Sequence, residues 1–275
     1  MKILPEIQVG SVTPELIDNS NLYFSVLASG SSGNSVFIKN KDVKILIDSG
    51  LSGKQIEKRL ELIGEDPKGL KAIIISHEHS DHIRGAGVLS RRYNIPVYGN
   101  KKTIAASETC IKKTFQTVFF ESGVPFFIGQ MKINPFSISH DAVDPCGFTI
   151  KAGNSKLGVA TDLGFATALV KTRLKNCTGI VIEANHDPTL LESGPYPWFL
   201  KQRIKGRNGH LSNEDARNLL GEIADKNLKK IILGHLSKEN NCPNKALSIV
   251  SQAIKNLKSE IFNASEEKPT ALFKI

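Results

Sequence analysis

The sequence predicts an α/β chain in which two sheets pack face to face with helices outside. Three observations carry this expectation. Short apolar or alternating runs bounded by Gly, Asn and Asp recur along the chain, as strands require; helical periodicities fall between and after them; and a strand-rich first half leading into a helix is followed by a second half in the same order. Elements with one apolar face bury it by stacking in layers around a core. With 275 residues and 40% hydrophobic content, one domain over 1–275 is expected, residues 1–20 forming a short polar leader.

In order, the strands are expected at 22–28, 35–38, 43–48, 71–76, 131–140, 156–162, 179–184 and 229–234. "ASGSSGNS" (28–35) lacks the GK[ST] ending of a phosphate-binding loop, so it reads as a Gly-permitted turn between the first two strands. Residues 83–93 read as a helix. In 212–227, Ser212 stands three residues before Asp215, a capping-box spacing, and Ala216, Leu219, Leu220 and Ile223 form one apolar face. The segment 243–257 opens on Pro243, suited to a first helical turn, and repeats apolar residues at Ala246, Leu247, Val250, Ile254 and Leu257.

No run approaches the roughly eighteen apolar residues of a membrane span, and the N-terminus lacks the apolar core of a signal peptide. A cytoplasmic protein without a membrane partner is therefore expected. Cys110, Cys146, Cys177 and Cys242 are far apart and form no CxxC pair, which argues for reduced thiols and against a disulfide framework or a thiolate zinc site. Thirty-six Lys and Arg against 27 Asp and Glu give +9, a field favouring polyanionic partners.

The segment "SHEHSDHIRG" (76–85) places three of seven histidines, with Asp81, in six consecutive positions directly after an apolar strand. Strand ends are where sites are usually built. His77 and His79 alternate and so project to one side of an extended segment, as ligands of zinc, manganese or iron would; Asp81 and His82 could serve a second ion. A metal site needs ligands from elsewhere in the chain. His140, His186 and His235 each end or follow an apolar strand, and Asp48 and Asp162 close strands in the same way. Five such ends imply one shared rim.

Asp48, "HEHSDH", His140, "TDLG" with Asp162, and "LGHLS" with His235 resemble the five ordered motifs of the metallo-β-lactamase superfamily. Within it, "LASGSSGNSVFI", "SHDAVDPCGF", "EANHD", "GHLSNEDA" and "HLSKENN" resemble the YycJ/WalJ group of metal-dependent 5′ exonucleases of DNA. The resemblance implies an αββα sandwich of two mixed sheets flanked by helices, with two divalent ions, Zn2+ or Mn2+, at one edge. It implies that His77, His79 and His140 hold the first ion, Asp81, His82 and His235 the second, that Asp162 bridges them, and that Asp48 orients a ligand imidazole. Two such ions suit in-line displacement at a phosphodiester.

Lys201, Arg203, Lys205 and Arg207 alternate strictly after Tyr196, Trp198 and Phe199. On an extended segment the four cations would share one side and follow a phosphate backbone, with Trp198 available to stack on a terminal base. The expected partner is thus nucleic acid, and the resemblance implies duplex DNA ends. His186 and His210 remain as candidates to protonate the leaving oxygen or hold the scissile phosphate. A thioester or lactone hydrolase would use the same ligands without a basic track. An RNA-processing nuclease with a β-CASP insertion is disfavoured, because only 72 residues separate Asp162 from His235.

Overall fold

A computed structural model describes residues 21–275; the expected leader, 1–20, lies outside them. The first sheet is built from β1 (Tyr23–Ala28), β2 (Ser35–Lys39), β3 (Lys44–Ile47), β4 (Leu70–Ile74), β5 (Val97–Gly99) and β6 (Thr117–Phe119) in that spatial order. The second runs β7 (Phe126–Ile128), β8 (Met131–Ser137), β9 (Cys146–Ala152), β10 (Ser155–Ala160), β11 (Gly179–Glu183), β12 (Lys230–Gly234) and β13 (Glu260–Asn263). A last short strand, β14 (Phe273–Lys274), returns to the first sheet beside β1. Both sheets are mixed: β3 to β6 pair in parallel, as do β10 to β13, and the remaining pairs are antiparallel.

Period-two alternation explains the layers. Ile45 and Ile47 of β3, Ala72 and Ile74 of β4, Val181 of β11 and Ile232 of β12 point between the sheets into one core with Phe24, Phe148 and Ile150. Their neighbours Leu46 and Ile73 face outward under helices α1 (Gly53–Leu62) and α3 (Ala86–Tyr93), with Ile56, Leu60 and Leu89. Ile180, Ile182, Ile231 and Leu233 do likewise under α5 (Ala168–Leu174), α8 (Asn213–Ile223) and α9 (Pro243–Val250). Strands buried on both faces read as continuous apolar runs, which is why these were legible in the sequence. The result is the four-layer αββα sandwich.

Several boundaries differ from expectation. The expected helix 83–93 is two pieces, α2 (Ser80–Ile83) and α3, and β8 stops at Ser137, three residues before His140. The helix begun by the Ser212 capping box ends at Ile223, and α9 stops at Val250, followed by a 3-10 turn, Ser251–Ile254. Helices α1, α4 (Lys101–Ile111), α5 and the short α6 (Pro188–Ser193), and strands β5 to β7, β9, β13 and β14, were not read from the sequence.

The largest departure is α7 (Trp198–Lys205), where an extended ladder was expected. At about 100° per residue, Lys201 and Lys205 fall on one face and Arg203 on the opposite one, so the three cannot share one side. All are already engaged. Lys201 donates to Glu192 O at 2.6 Å, Lys205 pairs with the Glu192 carboxylate, Arg203 with Asp141, and Arg207 beyond the helix lies over the Phe165 ring at 4.3 Å. Trp198 and Phe199 are exposed, at 66% and 73%. Among the described residues no helix is long and apolar enough to cross a membrane.

Candidate metal centre

The carboxyl ends of β3, β4, β10, β11 and β12 meet at one rim of the sandwich. Three of the site residues there, Asp48 (φ 60°), Asp162 (φ 57°) and His235 (φ 54°), turn the chain in the left-handed region directly after their strands. Non-glycine residues adopt this conformation at a cost, and it concentrates at functional sites. The approach is close enough to fix one neighbour's identity: a Cβ on Gly50 would lie 1.5 Å from Asp81 O.

Imidazole nitrogens converge here. His77 Nε2 and His140 Nε2 lie 3.1 and 3.3 Å from His79 Nδ1. His82 Nε2 is 3.1 Å from Asp162 Oδ2 and 3.4 Å from Asp81 Oδ2. His235 Nδ1 is 3.4 Å, and His140 Nε2 3.8 Å, from Asp162 Oδ1. Three overlapping groups bring ligand atoms within 4.8 Å of one another: His77, His79 and His140; His77, His82 and Asp162; and Asp162, Glu183, His210 and His235.

The opposite nitrogen of most rings is tethered. His77 Nδ1 faces Ser76 Oγ at 2.9 Å, His82 Nδ1 faces Asp48 Oδ2 at 2.8 Å, and His140 Nδ1 faces Gly209 O at 3.3 Å. Asp48 is itself fixed by Ser76 N at 2.8 Å and Ser76 Oγ at 2.7 Å. Glu183, fully buried at the end of β11, was missed in the sequence. Its Oε1 lies 2.7 Å from both His210 Nδ1 and His235 Nδ1, while Oε2 accepts Leu163 N at 2.8 Å and Leu211 N at 3.3 Å. The only signal was a carboxylate closing an apolar run, as Asp48 and Asp162 do, and the reading of 179–184 as strand passed over it.

Burial opposes ionisation throughout, and the carboxylates decide where charge survives. Burial alone would lower His82, but Asp162 and Asp48 hold it well above the ordinary histidine value; His235, opposed by burial too, is raised to about 9 by Asp162 and Glu183. Burial and the His82 charge push His77 well down, and burial likewise lowers His140. Asp162 and Glu183, despite burial, sit below their ordinary values because of His235 and His82 for the first and His210 for the second, Glu183 at about 2.

The donor set fits divalent cations. Asp162 Oδ2 is buried and makes no hydrogen bond, although His82 Nε2 is 3.1 Å away, and three imidazole nitrogens face one another around His79. Lone pairs aimed at a common point from rings fixed by outer hydrogen bonds are the arrangement of a metal site. Glu183 is different: both of its oxygens are already engaged, which suits it to orienting His210 and His235.

Beside the cluster opens a cleft of about 180 Å3, whose lining includes Tyr196, Leu200, Arg203, His210, His235 and Ser237. His210 is partly exposed there, its side chain 20% accessible. His186 is not brought to this cleft. It is 4% exposed, burial pushes its pKa down to about 4, and its Nδ1 has no hydrogen-bond partner. A larger cleft of about 580 Å3 beside α4, lined by Phe119, Phe126 and Lys101 among others, contains none of the clustered side chains.

Residues 28–235 match the family model for the metallo-beta-lactamase superfamily. The chain is 45% identical over 222 residues to exodeoxyribonuclease WalJ of Streptococcus pneumoniae serotype 2 (strain D39), covering 79% of this chain and 82% of that one. It is 41% identical over 238 residues to exodeoxyribonuclease YycJ of Bacillus anthracis, covering 85% and 89%. Among solved structures, the metallo-beta-lactamase fold protein YhfI from Bacillus subtilis superposes with a TM-score of 0.72 at 18% identity, over 91% of this chain and 99% of that chain, a likeness of fold. Motif order, four-layer architecture and ligand cluster agree: the chain belongs to the metallo-beta-lactamase superfamily.

Proposed function

We propose that this chain is a metal-dependent exodeoxyribonuclease that hydrolyses phosphodiester bonds from the 5′ ends of duplex DNA. The observation that carries the reading is the convergence of His77, His79, His82, His140, Asp162 and His235 at one rim, in a chain 41–45% identical to proteins named exodeoxyribonuclease. His77, His79 and His140 would hold one ion, Asp81, His82 and His235 a second, with Asp162 between them; imidazole with carboxylate suits zinc or manganese. Bound there, divalent ions supply an activated water nucleophile and positive charge for the phosphate oxygens.

The chain's own residues supply orientation and proton transfer. Asp48 and Glu183 hold ring orientations: His82, with Nδ1 on Asp48, turns Nε2 toward Asp162, and His235 is held through Nδ1 by Glu183. His210, with Nδ1 on Glu183 and its ring lining the cleft, would protonate the leaving oxygen. Arg203 lines the same cleft and would meet a phosphate in competition with Asp141. Trp198, exposed on α7 near Tyr196, would stack on a terminal base and favour ends by about 1–3 kcal/mol. Four free cysteines fit a cytoplasmic site of action.

Metal-loaded protein incubated with end-labelled DNA and RNA duplexes and with covalently closed circular DNA tests this reading. Mononucleotide release from 5′ DNA ends with closed circles resistant is expected. Efficient cutting of closed circles would overturn exonuclease action, and hydrolysis of RNA alone would overturn the choice of DNA.

A further inference from the structure

The loop between β1 and β2, residues 29–34, touches both halves of the rim. Asn34 is pinned by its main chain, its N–H donating to Asp81 O at 2.7 Å and its carbonyl accepting from Gly50 N at 2.9 Å. Its buried side chain then reaches two ways. Nδ2 donates to Asp81 Oδ2 at 3.1 Å and lies 3.0 Å from His82 Nε2, while Oδ1 accepts from Gly30 N at 2.9 Å and from Ser29 Oγ at 3.3 Å. Ser29 Oγ in turn accepts the N–H of His235 at 2.8 Å, at the residue whose backbone is left-handed. A Cβ on Gly234 would fall 2.7 Å from that hydroxyl, so glycine leaves the room it occupies.

A continuous run of hydrogen bonds, Asp81 to Asn34 to Ser29 to His235, therefore joins the Asp81 carboxylate to the backbone of His235, two residues that follow strands of opposite sheets. We infer that Ser29 and Asn34 are positioning residues that fix Asp81 relative to His235 and so set the affinity of the second ion alone. This rests on the ligand assignment proposed above. The first ion's rings, His77 and His140, take their outer hydrogen bonds from Ser76 and Gly209 instead. Removing the Asn34 amide frees the Asp81 carboxylate, and removing the Ser29 hydroxyl leaves the buried His235 N–H without its acceptor. Either change makes the second ion organise its own ligands, whereas outer hydrogen bonds that hold ligands in place typically contribute about 10- to 100-fold in metal affinity.

Stepwise titration of metal-stripped protein with Zn2+ against a chromophoric chelator reads the two affinities separately from turnover. Wild-type protein should bind two ions. Asn34→Ala and Ser29→Ala should each keep the first affinity and weaken the second by about 10- to 100-fold, while Ser32→Ala, exposed in the same loop, should keep both. The two variants approach the run of bonds from opposite ends, so if circular dichroism shows one unfolded, the other decides. Equal weakening of both ions, or an unchanged second affinity in a folded variant, overturns the positioning role and leaves the two-ion reading intact. Wild-type protein that binds fewer than two ions overturns that reading itself.

Discussion

Residues 48–82 deliver Asp48, His77, His79, Asp81 and His82 from the ends of two adjacent parallel strands and one turn, whereas His140, Asp162, Glu183, His210 and His235 are scattered from residue 140 to residue 235. Each half has one carboxylate tethering imidazole. In the compact half Asp48 orients a single ring and is fixed by Ser76. In the scattered half Glu183 binds two rings and two backbone amides, joining the loops that carry Leu163, Leu211 and His235. Where the chain brings ligands together locally, a small anchor is enough; where it does not, a buried carboxylate must tie several segments at once.

The largest effect should come from the atoms that meet between the halves. Asp162→Asn and His79→Ala should each abolish turnover while leaving the far-UV circular dichroism intact, since both residues lie at strand or helix ends and not in the sheet core. Residual activity near the wild-type level in either would remove that residue from the centre.

The asymmetry of the anchors is the next test. Glu183→Gln should lose activity by about 100-fold and Asp48→Asn by about 10-fold, the two ends of the range for such hydrogen bonds. Equal losses would mean that the number of rings held does not matter.

On α7 the cations Arg203 and Lys205 should separate by whether they line the cleft, since both are paired with a carboxylate. Arg203→Ala should lower the slope of log affinity against log salt for duplex DNA by about 0.9, because Arg203 lines the cleft. Lys205→Ala should barely change it, because Lys205 does not line the cleft. Identical slopes in the two variants would restore a shared track.

Glu65 provides a control away from the rim, a buried carboxylate paired with Lys39 at 2.5 Å and Lys44 at 2.7 Å. Burial raises its pKa, but the hydrogen bonds and charges of the two lysines outweigh it and hold the carboxyl below its ordinary value. Its contribution is therefore fully present above the ordinary glutamate pKa of about 4.3 and is lost as pH falls through the lowered folded value. Glu65→Gln should cost about 1–2 kcal/mol at neutral pH, with the difference from wild type vanishing in acid, as measured by urea unfolding. A pH-independent difference would assign the loss to packing.

The same contrast explains what could be read from the chain. The HEHSDH turn was legible because its residues are contiguous, and the core strands because burial on both faces leaves continuous apolar runs such as Ile45 to Ile47 and Ile180 to Ile182. Glu183 was not, since a single carboxylate at a strand end acquires its role only when Leu163, His210, Leu211 and His235 fold around it. The 201–207 alternation misled because period two in charge outweighed helical cues: Pro197 opens α7, and Leu200 and Ile204 stand at helical spacing, Ile204 being its one buried residue. Asn34 and Ser29 looked like ordinary turn residues; their partners lie 47 and 206 residues away.

Anomalous diffraction from crystals soaked in Zn2+ or Mn2+, collected on either side of the metal edge, tests the central claim most directly. Two peaks are predicted, one among His77, His79 and His140 and one among Asp81, His82 and His235, with Asp162 reaching both and Glu183 bound to neither. A single peak, or one coordinated by Glu183 with His210, would contradict the account.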